Sequence, residues 1–318
     1  MEIRKITFTA KGKVELQTEQ EDMDHLEPNE VAGPTVASMI SPGTEIQGCL
    51  LGDNFPRGIG YASVLRVERV GSEVQNIAPG DYAFCLCKHQ SYQKLESHVL
   101  AKLPKTLDPQ AACCARFMGI SMTTLTTTQM RPPANVLVMG LGLVGNMASR
   151  LFDCCGYNVF AVDPVAGRRE QLASNSFCTV LDKTPDRDDM DLAIDCTGHE
   201  QAVVDASKTL RKGGELSLIG VPWRRKADVQ AFELTHAIFH RYLHVRSGWE
   251  WEIPRHRSDF DRASIWGNFE GALRMLDQKR LNVDGIYEVG DPRDCQKMYD
   301  RLTQQGDGPL TTVLDWTC

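Results

Sequence analysis

The sequence predicts an α/β chain in which a doubly wound parallel sheet is paired with a smaller, strand-rich domain. Three observations carry that expectation. Residues 136 to 163, VLVMGLGLVGNMASRLFDCCGYNVFAVD, read as strand, glycine turn, helix and second strand. From Asn135 onward, apolar strand-like runs alternate with helix-compatible ones, the pattern of parallel strands joined by crossover helices. Residues 1 to about 115 are strand-like and are broken at Pro28-Asn29, Ser41-Pro42-Gly43, Arg57-Gly58 and Ala78-Pro79-Gly80-Asp81, all turn formers.

The first observation is the most specific. A β-capable run, Val136 to Met139, enters Gly140-x-Gly142-x-x-Gly145, a helix is expected from Asn146 to Cys155, and a second strand, Val159 to Val162, ends on Asp163. This is the complete βαβ dinucleotide fingerprint in its required context, so the α/β part is expected to be a Rossmann dinucleotide-binding domain. Gly140 permits the tight turn, Gly142 lets backbone approach a pyrophosphate, and Gly145 lets the helix close on the strand. The free N–H groups at the helix start, around Leu143 and Val144, then face phosphate. Asp163 stands where a carboxylate takes both hydroxyls of the adenosine ribose and repels a 2′-phosphate, which favours NAD. Arg168 and Arg169 follow at a distance that suits the adenine, and an arginine there also tolerates NADP. A methyltransferase using S-adenosylmethionine is the sharpest rival, but Met139 stands where such enzymes commonly carry an acidic residue.

Further strands are expected at about 177–181, 191–195, 214–219 and 243–247, giving six with 135–139 and 158–162. In the first part, strands are expected at Val31 to Met39, Ala62 to Val70 and Asp81 to Cys87. A helix from Pro109 to Met130 leads to the break at Arg131-Pro132-Pro133. Strand character returns at Gly285 to Val289 and Leu310 to Asp315, so the chain is expected to re-enter its first domain. The predicted boundaries are 1–118 with 285–318, and 119–284.

Composition narrows the class. The chain has 318 residues, 42% of them hydrophobic and 24% charged, which suits a globular protein of two domains. A net charge of −7 argues against a nucleic-acid surface. No apolar run is long enough to span a membrane, and residues 1–16 alternate like a strand rather than forming the apolar block of a signal peptide. A cytoplasmic location is therefore expected. The eleven cysteines, with Cys113, Cys114, Cys154, Cys155 and Cys196 in apolar surroundings, are expected to be reduced core residues.

Several motifs together resemble the medium-chain dehydrogenase/reductase superfamily over nearly the whole chain. They are Ser41-Pro42-Gly43-Thr44-Glu45, Val70-Gly71-Ser72, Pro79-Gly80-Asp81, Asp195-Cys196-Thr197-Gly198, Leu210-Arg211-Lys212-Gly213-Gly214 and Ile219-Gly220. The resemblance implies a GroES-like β-barrel catalytic domain beside the Rossmann domain. It places Cys196, Thr197, Gly198 and Gly220 along the cofactor, with the end of the fourth strand on the nicotinamide side. It also implies a homodimer joined through the sixth strand.

The departures matter equally. Where zinc-containing members carry Cys-Gly-Thr-Asp and Gly-His-Glu, this chain has Pro42-Gly43-Thr44-Glu45 and Gly60-Tyr61-Ala62. The third ligand region falls near Arg116-Phe117, with Cys113 and Cys114 close by. Cys85-x-Cys87 stands alone where a four-cysteine lobe would be. A catalytic zinc needs three protein ligands, so no zinc is expected. The narrower resemblance is to a zinc-poor branch that includes bacteriochlorophyllide dehydrogenase-like and sugar-type dehydrogenases.

Without zinc, another group must take the carbinol proton. His89, in the loop that replaces the lobe, is the first candidate, with a surface histidine as the bland alternative. Tyr61 stands where a zinc-binding histidine would be and could orient the substrate oxygen, or simply pack. Thr44 falls beside the expected nicotinamide; Glu45 either joins it or pairs with Arg116. His236-x3-His240-x3-His244 has helical ligand spacing, but residue 244 already belongs to a predicted strand. Trp249-Glu250-Trp251 and the Arg- and Asp-rich stretch 255–266 suit either a polar substrate or a solvated surface. The leading expectation is an NAD-dependent, zinc-independent enzyme interconverting a secondary alcohol, polar and possibly sugar-like, and a ketone. The alternatives are an NADPH-dependent enoyl or quinone reductase, and a dinucleotide-binding protein without chemistry.

Overall fold

The structure, a computed structural model, describes residues 1–304 and 308–318. The chain divides into two compact units, Met1–Arg116 with Phe269–Cys318, and Phe117–Asn268. The chain thus returns to its first unit at Phe269, earlier than the expected residue 285. The reason is the helix Ile265–Asp277: Phe269 packs edge-on against Phe84 at 5.2 Å, and Asp277 accepts a hydrogen bond from Thr106 at 2.5 Å.

In Phe117–Asn268 a six-stranded sheet runs in the order Thr179–Leu181, Asn158–Val162, Asn135–Met139, Met190–Asp195, Leu210–Leu218, His244–Ser247. Every pairing is parallel. The order reverses direction at the strand Asn135–Met139, which makes that strand's carboxyl end a topological switch point, the place where open α/β sheets bind ligands. Val136, Val138, Ala148, Phe152 and Ile194 form one buried layer, and Leu137, Ala193, Ala206 and Leu216 form the other. Alternate residues of Asn135–Met139 thus feed opposite faces, as period-2 geometry requires.

In the other unit, the long strand Glu30–Met39 is the hub of an eight-stranded sheet. It pairs with Thr311–Asp315, Ser63–Arg66, Arg69–Val70 and Tyr92–Glu96, while Tyr82–Cys85, Leu100–Lys102 and Tyr287–Gly290 extend the sheet. Glu2–Ala10, Lys13–Gln20 and Arg57–Gly58 form a separate three-stranded sheet. The helix Cys295–Thr303 buries Cys295, Met298, Tyr299 and Leu302 among Ile6, Phe8, Ile46 and Leu50.

Two expected elements are interrupted. The strand expected at 62–70 divides into Ser63–Arg66 and Arg69–Val70, because Val67 turns its N–H to Asp81 O and Glu68 donates to Ala32 O. The helix expected at 109–130 divides into Pro109–Ala112 and Ala115–Thr127. Cys113 and Cys114 donate to Gln110 O and Ala111 O, tighter i→i−3 bonds that break the α ladder. The second piece ends where Glu215 accepts from Thr128 Oγ1 at 2.6 Å and Gln129 N at 3.0 Å.

Candidate active site

Each unit carries its own set of candidate functional groups. In Phe117–Asn268 the strand Asn135–Met139 stops at Gly140, whose φ of +87° lies in the left-handed region that glycine adopts without steric cost. Gly142 caps the helix Leu143–Cys154, and a Cβ built on it meets nothing within 4 Å. That leaves an open cradle beside backbone. The first-turn N–H groups of Leu143 and Val144 have no intrahelical acceptor and carry the positive end of the helix dipole. Gly145 is where the helix touches the strand: a Cβ there would lie 1.7 Å from Gly140 O. The residues present therefore fit a dinucleotide pyrophosphate.

Asp163 departs from expectation. It is only 2% exposed and its carboxylate is already engaged. Oδ2 accepts from Leu141 N at 2.8 Å and Oδ1 from Val165 N at 2.8 Å, and Arg168 Nη1 lies 3.3 Å from Oδ2. Asp163 thus ties the glycine loop to the end of the second strand, and it does not stand free to take both ribose hydroxyls. Arg169 donates to Asp163 O and Pro164 O at 2.8 Å each, so of the two arginines Arg168 is the one beside the carboxylate.

At the fourth strand's end, Asp195 accepts from Thr197 N and Oγ1 and from Gly198 N, and burial raises its pKa. Gly198 has φ +57°, and a Cβ on Gly220 would stand 2.2 Å from Gly198 N. The turn Cys196–Gly198 and the Gly220 backbone are therefore pressed together. Lys226 donates to Thr197 O at 2.9 Å, a contact that the sequence reading did not anticipate.

The other unit carries a cluster of hydroxyls. Ser41 precedes the short helix Pro42–Thr44, and the Tyr61 hydroxyl bonds to Ser41 Oγ. Thr44 faces the same phenol, and burial lifts the Tyr61 pKa to about 12. The Arg116 guanidinium lies 4.9 Å from the Tyr61 ring centre and 5.8 Å from that of Phe269, within cation–π range. Gly60 makes the position of Tyr61 possible: its φ is +134° and a Cβ there would lie 2.4 Å from His89 N.

His89 does not occupy the place expected of it. The residues around it are tied to neighbouring chain by His89 N→Ile59 O, Ile6 N→His89 O and Ser91 N→Arg4 O. The ring turns inward, leaving the residue 1% exposed. It lies 2.8 Å from Ser38 Oγ through Nδ1 and 3.2 Å from Glu45 through Nε2. A ring so enclosed cannot hand a proton to substrate. Glu45 is fully buried, and its carboxylate is taken up by Ser41 N, His89 and Tyr299 rather than by Arg116. Tyr299 was missed because it is 254 positions from Glu45, and no local pattern could signal that meeting.

The residues at the expected zinc positions do not fit the metal. Pro42 has no donor atom. The Tyr61 phenol is bonded to Ser41 and resists ionisation. Cys113 gives its thiol to Pro109 O at 3.5 Å, and burial pushes its pKa well up, whereas zinc binds thiolate. Among the described residues no group of three or more His, Cys, Asp or Glu is placed to hold a metal. The ring centres of His236 and His240 lie 4.3 Å apart on one helix, tilted by 46°, while His244 opens the strand His244–Ser247.

Comparison with known proteins agrees with this architecture. A family model described as the C-terminal domain of alanine dehydrogenase/PNT matches residues 109–208. A glucose 1-dehydrogenase of Metallosphaera sedula is 24% identical over 190 residues, 57% of this chain and 48% of that protein. The matches span 37% to 60% of the length of these curated relatives. Galactitol-1-phosphate dehydrogenase from Escherichia coli superposes with a TM-score of 0.82 at 15% identity, over 98% of this chain and 99% of that one. A putative zinc-binding dehydrogenase from Sinorhizobium meliloti bound to NADP gives 0.77 at 14% identity, over 99% of each chain. The chain has the Rossmann-type α/β fold with a strand-rich second domain that these dehydrogenases share.

Proposed function

We propose that the protein is a nicotinamide-dependent oxidoreductase that interconverts a secondary alcohol and a ketone on a polar, polyol- or sugar-like substrate, without zinc. The observation that carries this reading is the open cradle formed by Gly140, Gly142 and Gly145 at a helix N-terminus, on the switch-point strand of the sheet. Several relatives matched in sequence are named as dehydrogenases of glucose, L-galactonate and sorbitol, which supports the substrate class, while others are named as zinc-binding or zinc-type alcohol dehydrogenases.

The backbone around Leu143 and Val144 holds the pyrophosphate, and the Cys196–Gly198 turn with Gly220 borders the nicotinamide half. When bound, the dinucleotide supplies the hydride acceptor or donor. Tyr61 replaces His89 as the proposed acid/base. With its pKa near 12 the phenol is protonated at neutral pH, the form that can donate to a ketone oxygen as charge develops there. Arg116, over the ring, stabilises the phenolate that remains. Thr44 orients the same hydroxyl.

NAD remains the proposed cofactor, with NADP admitted through Arg168, whose guanidinium is next to the ribose-side carboxylate. That same arginine favours the NADPH-dependent reductase as a second reading. Titration of zinc-assayed protein with NADH, NADPH and S-adenosylmethionine, followed by a screen of polyols, sugars, ketones and enones, tests both. NADH binding and turnover of a polyol without zinc are expected. Stoichiometric zinc, or turnover of enones alone, would overturn the reading.

A further inference from the structure

We propose that Glu45, His89 and Tyr299 form a buried relay of hydrogen bonds with one direction, which positions the Ser41–Tyr61 hydroxyl pair from the C-terminal segment of the chain. The relay rests on the reading of Tyr61 as the group that meets substrate.

The donors can be followed in order. Trp316 Nε1 donates to Ser38 Oγ at 2.8 Å. Ser38 then has one O–H left, and His89 Nδ1 lies 2.8 Å away. His89 Nε2 sits 3.2 Å from both oxygens of Glu45. An ionised carboxylate only accepts, so Nε2 carries a proton; the relay we propose has the Ser38 O–H donating to Nδ1 of a neutral ring. Tyr299 Oη donates to Glu45 Oε2, and Ser41 N donates to Oε1 at 2.7 Å. All donors converge on one carboxylate, which is how a buried charge is tolerated.

Glu45 in turn grips Ser41 at two points, because Glu45 N donates back to Ser41 O at 2.8 Å. Ser41 Oγ then meets the Tyr61 hydroxyl. The groups in the chain are buried except Tyr61, which is partly exposed. The hydroxyl of a partly exposed residue is thus set by side chains from Glu30–Met39, Cys295–Thr303 and the segment after Thr311–Asp315. Among the described residues, further ionisable groups facing Glu45, Tyr61 and Tyr299 are Cys49, Cys295 and Arg116. None takes part in the relay. His89 and Tyr299 are positioning residues, since neither touches substrate.

The test uses nuclear magnetic resonance on full-length protein carrying 13C-labelled tyrosine and 15N-labelled histidine. The Tyr61 signal is assigned by its loss in Tyr61→Phe, and that of His89 by its loss in His89→Gln. His89 is expected to be neutral and protonated on Nε2. Tyr299→Phe keeps the ring and the charge of Glu45 but removes one donor. It is expected to shift the Tyr61 Cζ resonance and its titration, and to lower kcat tenfold or more with KM changed less than twofold. Glu45→Gln is expected to move the His89 proton to Nδ1. A folded Tyr299→Phe protein with an unchanged Tyr61 signal would overturn the proposal. Should that variant fail to fold, a proton found on His89 Nδ1 in the unsubstituted protein would overturn it equally. Turnover retained by Tyr61→Phe would sink the functional reading of Tyr61, while the resonance response to Tyr299→Phe would still decide the relay.

Discussion

Asp163 Oδ2 accepts the N–H of Leu141 at 2.8 Å, so the carboxylate at the end of the second strand holds the glycine turn at the end of the first. A residue usually read as a ribose ligand here has a prior duty to the backbone that faces phosphate. Removing it therefore disturbs the cradle before it alters the choice of cofactor.

Asp163→Asn is accordingly expected to weaken NADH and NADPH together. The amide leaves one buried N–H facing a donor, a loss of about 1–3 kcal/mol, or roughly tenfold or more in Kd. Arg168→Ala should instead weaken NADPH alone. Fluorescence titration of both cofactors against both variants separates the two roles. Selective loss of NADH in Asp163→Asn would contradict the clamp.

Gly145→Ala should abolish cofactor binding or folding of its unit. The added Cβ would lie 1.7 Å from Gly140 O and 3.2 Å from Cys196 Cβ, and the closest of these is a backbone carbonyl with no side-chain freedom to yield. A thermal melt with and without NADH would show the loss of cofactor-dependent stabilisation. Gly43→Ala is the control, because a Cβ there meets nothing within 4 Å.

Tyr61→Phe should lower kcat by ~10²–10⁴-fold, the usual worth of a positioned acid/base, with cofactor affinity intact. The pH profile of ketone reduction should stay flat through neutrality and fall only in strong alkali, because the phenol pKa is raised to about 12. A limb near neutral pH would point to a different group.

Asp81 accepts from Lys102 at 2.6 Å and from Ala78 N at 2.9 Å, with Lys102 holding its pKa below the ordinary value. A carboxylate depressed on folding stabilises above its unfolded pKa, and that contribution is lost as pH falls through the folded pKa. Asp81→Asn should therefore cost less than about 1 kcal/mol at neutral pH, as expected of a largely solvated pair. The difference from the parent should vanish in strong acid. Urea melts across the acid range measure it, and a difference that persists there would refute the assignment.

Much of the nucleotide-binding unit was legible in the sequence because its signals are local. A glycine triplet between two apolar runs, and strands spaced by helical stretches, need only a few neighbouring residues to declare themselves. The expected strand at 135–139 has the observed bounds, and Gly140, Gly142 and Gly145 take the places their spacing implies. The strand-rich unit was legible only in outline, since its breaks at Val67 and at Cys113–Cys114 follow from bonds to distant or unusually close carbonyls.

What local pattern could establish was the fold class, the glycine cradle, and that positions 42 and 61 hold Pro and Tyr rather than Cys or His. The tertiary structure alone decided which side chains are free to act. It buried His89 against Glu45, brought Tyr299 to the same carboxylate across 254 positions, engaged Asp163 in the glycine loop, and left Tyr61 partly exposed. Burial and hydrogen-bond partnership depend on segments far apart in the chain, and those two properties decide whether a titratable group serves chemistry or architecture.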